Sequence, residues 1–137
     1  MKQAKTHTHT PKINPLIGLL GCIGFVGFIP LIIEVPDPSP FDFTFFAFFG
    51  LFGFYYTAKM SNTLIDERYI TNQLRATTIA NRIASAIIIA GVLFISNLEN
   101  SVELYTVTSL LITVIALAFS LSLFLQQFLL YKFETEE

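Results

Sequence analysis

The sequence predicts an all-α integral membrane protein: a four-helix bundle with both termini cytoplasmic and a third helix that extends into the cytoplasm. Three observations carry this reading. Of 137 residues, 53% are hydrophobic and 13% charged. An average soluble domain carries roughly 25% charged residues, and a chain this short buries too little of its surface to hide so much Phe, Ile and Leu. The apolar residues fall in four long runs, and all 8 Lys and Arg lie before the first run, at or between the second and third, or after the fourth. These features exclude a soluble enzyme, a disordered chain and a nucleic-acid module. With 8 basic against 10 acidic residues, no net positive charge invites direct nucleic-acid binding.

The first span, about residues 15–34, rests on the uncharged run from Leu16 to Ile33. Asn14-Pro15 reads as an N-cap followed by Pro at the first helical position, and Pro30 should kink the helix or end it early. Gly18, Gly21, Gly24 and Gly27 form a strict three-residue repeat. Each Gly costs an isolated helix up to ~1 kcal/mol relative to Ala, but in a bilayer small residues let two backbones approach closely. On an α-helix a spacing of three drifts by about 60° per step, so the glycines are expected to trace a winding groove. The second span, about residues 41–58, opens at Ser39-Pro40-Phe41-Asp42, a capping box. Between Phe41 and Phe54 it holds 8 Phe, with Ala47, Gly50 and Gly53 among them. Rings of that size suit a glycine groove, which favours a packed hairpin over an aromatic ligand pocket.

The third span, about residues 78–97, has the short apolar run Ile83 to Ser96, completed by Thr77, Thr78 and a snorkelling Arg82. The fourth, about residues 103–131, follows a capping box at Asn100-Ser101-Val102-Glu103 and has Gln126 and Gln127 as its strongly polar members. A helix needs about 20 apolar residues to cross roughly 30 Å of hydrocarbon. Tyr55, Tyr56, Tyr105 and Tyr131 fall near the predicted interfaces, as an aromatic belt requires. Lys2, Lys5, Lys12, Lys59, Arg68, Arg75, Arg82 and Lys132 all belong to one side of this topology, which the positive-inside rule makes cytoplasmic.

Chemistry-bearing motifs are sparse. No ionisable residue falls in the middle of a span, which argues against proton relays and ion coupling. The Ser and Thr of span four are expected to bond their own helix backbone. His7 and His9 stand in Thr-His-Thr-His-Thr without an acidic or Cys partner, short of the three or four ligands of a metal site. Cys22 is alone, so no intrachain disulfide forms. Leu19-Leu20-Gly21-Cys22 has the form of a lipobox, but the apolar run continues to Ile33, so Cys22 reads as a small residue inside a membrane helix. No P-loop, dinucleotide, HExxH or GxSxG motif is present. No enzymatic activity, cofactor or metal is expected.

The polar connector between spans two and three is the informative segment. Thr63-Leu64-Ile65-Asp66 resembles a capping box, so one helix is expected from near Leu64 to Ser96, about 50 Å long, with residues 60–78 amphipathic and cytoplasmic. Glu67, Arg68, Thr71, Asn72, Arg75, Thr78 and Arg82 share one arc, opposite Tyr69, Ile70, Ala76 and Ala80. The arc is either a solvated face or a docking surface. In the second case the candidate partner-binding residues are Met60, Ser61, Thr63, Asp66, Glu67, Arg68, Asn72 and Arg75. The candidate packing residues are Gly18, Gly21, Gly24, Gly27, Gly50 and Gly53.

The run Lys59-Met60-Ser61-Asn62-Thr63-Leu64-Ile65-Asp66-Glu67-Arg68-Tyr69, preceded by the aromatic stretch Phe48 to Tyr56, resembles a family of small bacterial membrane proteins of unknown function. Members have about four spans and a K-M-S-x-T-L-x-D-E-R block between the second and third. The resemblance implies a multi-pass protein of the bacterial cell (inner) membrane with no assigned activity. Similar families are often encoded beside small helix-turn-helix regulators, which implies binding or release of a cytoplasmic regulatory protein through residues 60–82. The alternative is an accessory, immunity-like or oligomeric subunit of a membrane transport complex, built on packing of a second copy or another chain against the glycine groove. In either case the lipid bilayer is the main partner.

Overall fold

The computed structural model describes residues 8–33, 39–98 and 102–136. His7, the basic residues Lys2 and Lys5, most of the connector 34–40, and Asn100 and Ser101 of the expected third capping box lie outside the described residues. The described chain is all-α apart from one isolated bridge. Helix 1 is Pro15–Ile32. Helix 2 is residues 40–59, helix 3 is Glu67–Leu98 and helix 4 is Leu104–Glu136.

Helices 1 and 2 depart from the expected geometry. Pro15–Phe28 and Pro40–Gly53 are each 14 residues of 3-10 helix, followed by short α segments at Ile29–Ile32 and Phe54–Lys59. Such runs rarely exceed 3–4 residues, because their hydrogen bonds are poorer and side chains three apart eclipse. Here eclipsing is what the sequence uses. At 3.0 residues per turn, Gly18, Gly21, Gly24 and Gly27 form a straight column, and all four are buried. The winding groove expected for an α-helix is therefore replaced by a straight seam. On helix 2, Phe43, Phe46, Phe49 and Phe52 stack in a matching column, with successive ring centroids 6.1, 6.1 and 6.2 Å apart. That spacing is the height of one 3-10 turn, about 6 Å.

The two columns meet antiparallel, one glycine per ring. A Cβ added at Gly21 would lie 2.7 Å from Phe52, at Gly24 2.6 Å from Phe49, and at Gly27 2.8 Å from Phe46; Gly18 faces Tyr55 in the same order. Only hydrogen fits at the middle levels. The caps agree with the sequence: Asn14 Oδ1 accepts from Leu16 N–H, Ser39 Oγ accepts from Phe41 N–H, and Asp42 Oδ2 accepts from Ser39 N–H. Helix 1 ends two residues after Pro30, where Ile33 turns extended.

Helix 2 turns a second column to helix 4. Gly50 lies against Ser120 and Leu123, and Gly53 against Leu123, Phe124 and Gln127. This pair is parallel. Helix 3 returns antiparallel to helix 4, with Gly91 on Val114 at one end and Asn72 bonded to Glu134 at the other. The principal contacts thus run in the order helix 1, helix 2, helix 4, helix 3. Helix 3 buries Tyr69, Asn72, Ala76, Ala80 and Ala84, the three-and-four spacing of an α-helix. Thr108, Ser109, Thr113 and Ser120 of helix 4 bond their own backbone as expected.

Among the described residues, three helices are long and apolar enough to cross a membrane: Pro15–Ile32, Glu67–Leu98 and Leu104–Glu136. Helix 2 is not one of them by composition, since Asp42 opens it and Tyr55, Tyr56, Thr57 and Lys59 close it. Large apolar side chains cover the outside of the bundle, among them Leu16, Leu19, Phe25, Ile32, Leu93 and Phe94. That is the surface of a protein whose solvent is lipid.

Candidate functional site

The polar groups gather at one end, where the N-terminal segment, the turn after helix 2, the start of helix 3 and the end of helix 4 meet. Helix 2 ends at Lys59, and the chain reverses through Asn62, whose φ of 64° is left-handed; Asn tolerates that region better than most residues. The reversal lays residues 63–65 beside residues 8–10. Asn62 N–H donates to the Thr10 carbonyl at 3.2 Å, Thr10 N–H to the Thr63 carbonyl at 2.9 Å, and Ile65 N–H to the Thr8 carbonyl at 2.9 Å. His9 and Leu64 form the isolated antiparallel bridge.

Side chains tighten this strap. The Thr10 hydroxyl donates to the Met60 carbonyl at 2.6 Å and accepts from Thr63 N–H at 2.9 Å. Ser61 Oγ accepts from Ile13 N–H at 3.0 Å. Much of the family-like block is therefore paired within the chain, to the segment just before helix 1. The alternating Thr-His-Thr-His-Thr was the signal for an extended segment.

Helix 3 begins at Glu67, not near Leu64 as the sequence predicts. The cap is Asp66, whose Oδ1 accepts from Tyr69 N–H at 2.8 Å. The strap occupies Thr63 and Ile65, so those residues stay extended and the helix starts beyond them. Tyr69 then packs with Met60, Ala76 and Leu130 in a small core, flanked by Ile65, Leu129, Tyr131 and Phe133. Burial pushes the Tyr69 phenol above its ordinary range, with the Glu134 carboxylate adding to the effect. Asn72 is 5% exposed and belongs to this packed side rather than to a solvated arc. Its Nδ2 donates to Glu134 Oε1 at 2.7 Å. The Arg75 guanidinium lies 4.5 Å from the Phe133 ring.

Lys59 closes the end of helix 2. Its Nζ sits 4.7 Å from the Tyr55 ring and 5.4 Å from the Tyr131 ring. Tyr55 chiefly, through hydrogen bonding, raises the Lys59 ammonium above its ordinary range. Tyr55, Tyr56 and Tyr131 form one aromatic cluster at this level.

Of the eight candidate partner-binding residues, the structure draws six into internal contacts: Met60, Ser61, Thr63, Asp66, Asn72 and Arg75. Glu67 and Arg68 are exposed, beside exposed Ile70 and Leu74 on the first two turns of helix 3. The six glycines all lie at helix contacts, four on the ring column and two on helix 4.

A second polar cluster joins helices 3 and 4, away from this end. Ser122 Oγ donates to Asn81 Oδ1 at 2.8 Å, and Gln126 Nε2 donates to Asn81 Oδ1 at 3.3 Å and Ser122 Oγ at 3.2 Å. Thr57 Oγ1 donates to Gln127 Oε1 at 2.8 Å, tying helix 2 to helix 4. Gln126 and Gln127, the strongly polar members of span four in the sequence, thus meet Asn81 of helix 3 and Thr57 of helix 2.

Residues 12–134 match a family described as a predicted membrane protein (DUF2178). No curated protein and no solved structure matches the chain. With the three long apolar helices, this establishes a small, multi-span integral membrane protein of unknown function, consistent with the bacterial inner membrane.

Proposed function

We propose, for a chain that belongs to the DUF2178 family of predicted membrane proteins, a docking role without catalysis. The chain crosses the bilayer four times and offers a cytoplasmic regulatory protein the first two turns of helix 3. Helix 2 counts as a span because it runs between helices 1 and 4 and therefore shares their depth. Its 20 residues reach about 37 Å at about 2.0 Å per 3-10 residue and 1.5 Å per α residue, enough for the hydrocarbon core. Lys12, Lys59, Arg68, Arg75 and Lys132 gather at the strap end, while Asp42 and Glu103 lie at the other. By the positive-inside rule the strap end is cytoplasmic.

The observation that carries the docking role is the contrast within the block. Its neighbours are tied down, yet Glu67, Arg68, Ile70 and Leu74 stand exposed on a helix start fixed by Asp66 and the strap. An acidic and a basic side chain beside two aliphatic ones on a rigid helix can serve as the polar rim and apolar centre of a protein contact. A photo-crosslinking residue at Leu74 in the native membrane should capture a protein, and Glu67→Lys with Arg68→Glu should abolish the adduct. Identical adducts with and without the reversals would refute the docking role. In a Cys22→Ser background, Arg68→Cys should resist labelling from outside intact cells; ready labelling would refute the orientation.

A further inference from the structure

Helix 3 carries a cation, Arg82, with no anionic partner among the described residues. Arg82 follows fully buried Ala80 and opens the apolar run of helix 3. It lies two turns, about 10 Å, deeper along the helix than Arg75. Among the described residues no carboxylate pairs with it. Glu134 is bonded to Asn72, ten residues back along helix 3, and Glu136 pairs with Lys132. Asp66 and Glu67 are more than about 20 Å back along the same helix, and Asp42 and Glu103 belong to the opposite end of the bundle.

The neighbouring Asn81 is held in one orientation. Its Oδ1 already accepts from both Ser122 and Gln126, so its Nδ2 is the part of the amide left for an outside partner. Asn81 and Arg82 are both exposed. Consecutive on helix 3 and about 100° apart around it, they offer N–H donors and a positive charge, with Ile79 and Ile83 next to them in sequence. A site of donors and positive charge in apolar surroundings selects an anion that is itself amphipathic.

We infer that Asn81 and Arg82 hold the phosphate of an anionic membrane phospholipid, with its acyl chains along the apolar flank of helix 3. Inorganic phosphate has no apolar part to hold it at the edge of the hydrocarbon, whereas a lipid phosphate is anchored there by its own chains, within reach of a snorkelling Arg82. A second copy of the chain is a poorer occupant. A two-fold contact brings like patch to like patch, and here it would set Arg82 against Arg82. The inference needs helix 3 to lie in the bilayer but is independent of docking at Glu67 and Arg68.

The test uses the full chain in vesicles containing either spin-labelled phosphatidylglycerol or spin-labelled phosphatidylcholine, with the immobilised lipid fraction as the readout. The wild type should favour phosphatidylglycerol by about fivefold, the scale of one basic side chain acting on an anionic lipid. Arg82→Lys should retain most of the preference, Arg82→Gln should lower it severalfold, and Arg68→Gln, farther from the hydrocarbon, should change it much less. Millimolar inorganic phosphate should not displace the lipid. Equal retention of the two lipids by the wild type would overturn the inference, as would full preference in Arg82→Gln. Displacement by inorganic phosphate would also overturn it, and so would a dimer that depends on Asn81. Loss of crosslinking at Leu74 with the lipid preference intact would strike the docking proposal alone.

Discussion

The two antiparallel seams of this protein solve the same problem with different helical periods. Between helices 3 and 4 the period is that of an α-helix: Ala76, Ala80 and Ala84 clear a path, and Asn81, Ser122 and Gln126 bond across it. Between helices 1 and 2 the period is three, no side-chain hydrogen bond joins them among the described residues, and rings fill the space left by missing Cβ atoms. Water provides no drive for either seam, since lipid tails are as apolar as Leu. One seam gains from van der Waals contact at very short range. The other gains partly from polar groups that have no better partner in hydrocarbon. Close packing is intolerant of added atoms, while a bilayer hydrogen bond is worth little on average, so the seams should fail differently.

The sharpest way to break this comparison is a distance. Spin labels at Leu16 and Phe28, twelve residues apart in helix 1, should be separated by about 24 Å along the axis, against about 18 Å for Leu74 and Ala86 in helix 3. Equal separations in bilayers would show that helix 1 is an ordinary α-helix and remove the period-three seam. Next in size is overpacking. Gly24→Ala should destabilise the chain by about 1–3 kcal/mol in detergent unfolding, because its Cβ would sit 2.6 Å from the Phe49 ring. Gly18→Ala should cost less, since its nearest neighbour is at 3.2 Å. Phe49→Leu should recover part of the Gly24→Ala loss, and additive effects would deny that the two residues touch. The smallest effect belongs to the polar seam: Ser122→Ala should cost about 0.5–1.5 kcal/mol, the range of bilayer hydrogen bonds. A loss larger than that of Gly24→Ala would invert the contrast drawn between the seams.

Much of the architecture was legible because it is local. The apolar runs marked all four helices, and Asn14, Ser39 and Asp42 marked two starts through side chains within three residues of the groups they cap. The spacing of the glycines was legible too, but its meaning was not. A spacing of three drifts on an α-helix and aligns on a 3-10 helix, and what separates the two cases is a second column of the same period at Phe43, Phe46, Phe49 and Phe52. That partner lies in the next helix, outside any local window on the glycines. The start of helix 3 was misplaced for a similar reason: Thr63 has the local form of a cap, but its N–H is bonded to Thr10, 53 residues away. The local pattern places Asn72 on a polar arc, solvated or docking, because its partner, Glu134, is 62 residues distant. Hydrogen bonds of that span leave no trace in a local pattern.

The matched columns also leave a vernier with more than one notch. Sliding helix 1 along helix 2 by a single turn, about 6 Å, would again seat four glycines on four rings, with Gly18 on Phe52 and Gly27 on Phe43. Intermediate positions would drive Leu or Ile into the rings. The seam by itself therefore fixes spacing and phase but not the absolute setting. What tells one notch from the next is the strand pairing of Thr8 and Thr10 with Thr63 and Ile65, which makes a few hydrogen bonds outside the hydrocarbon the reference mark for helices buried within it.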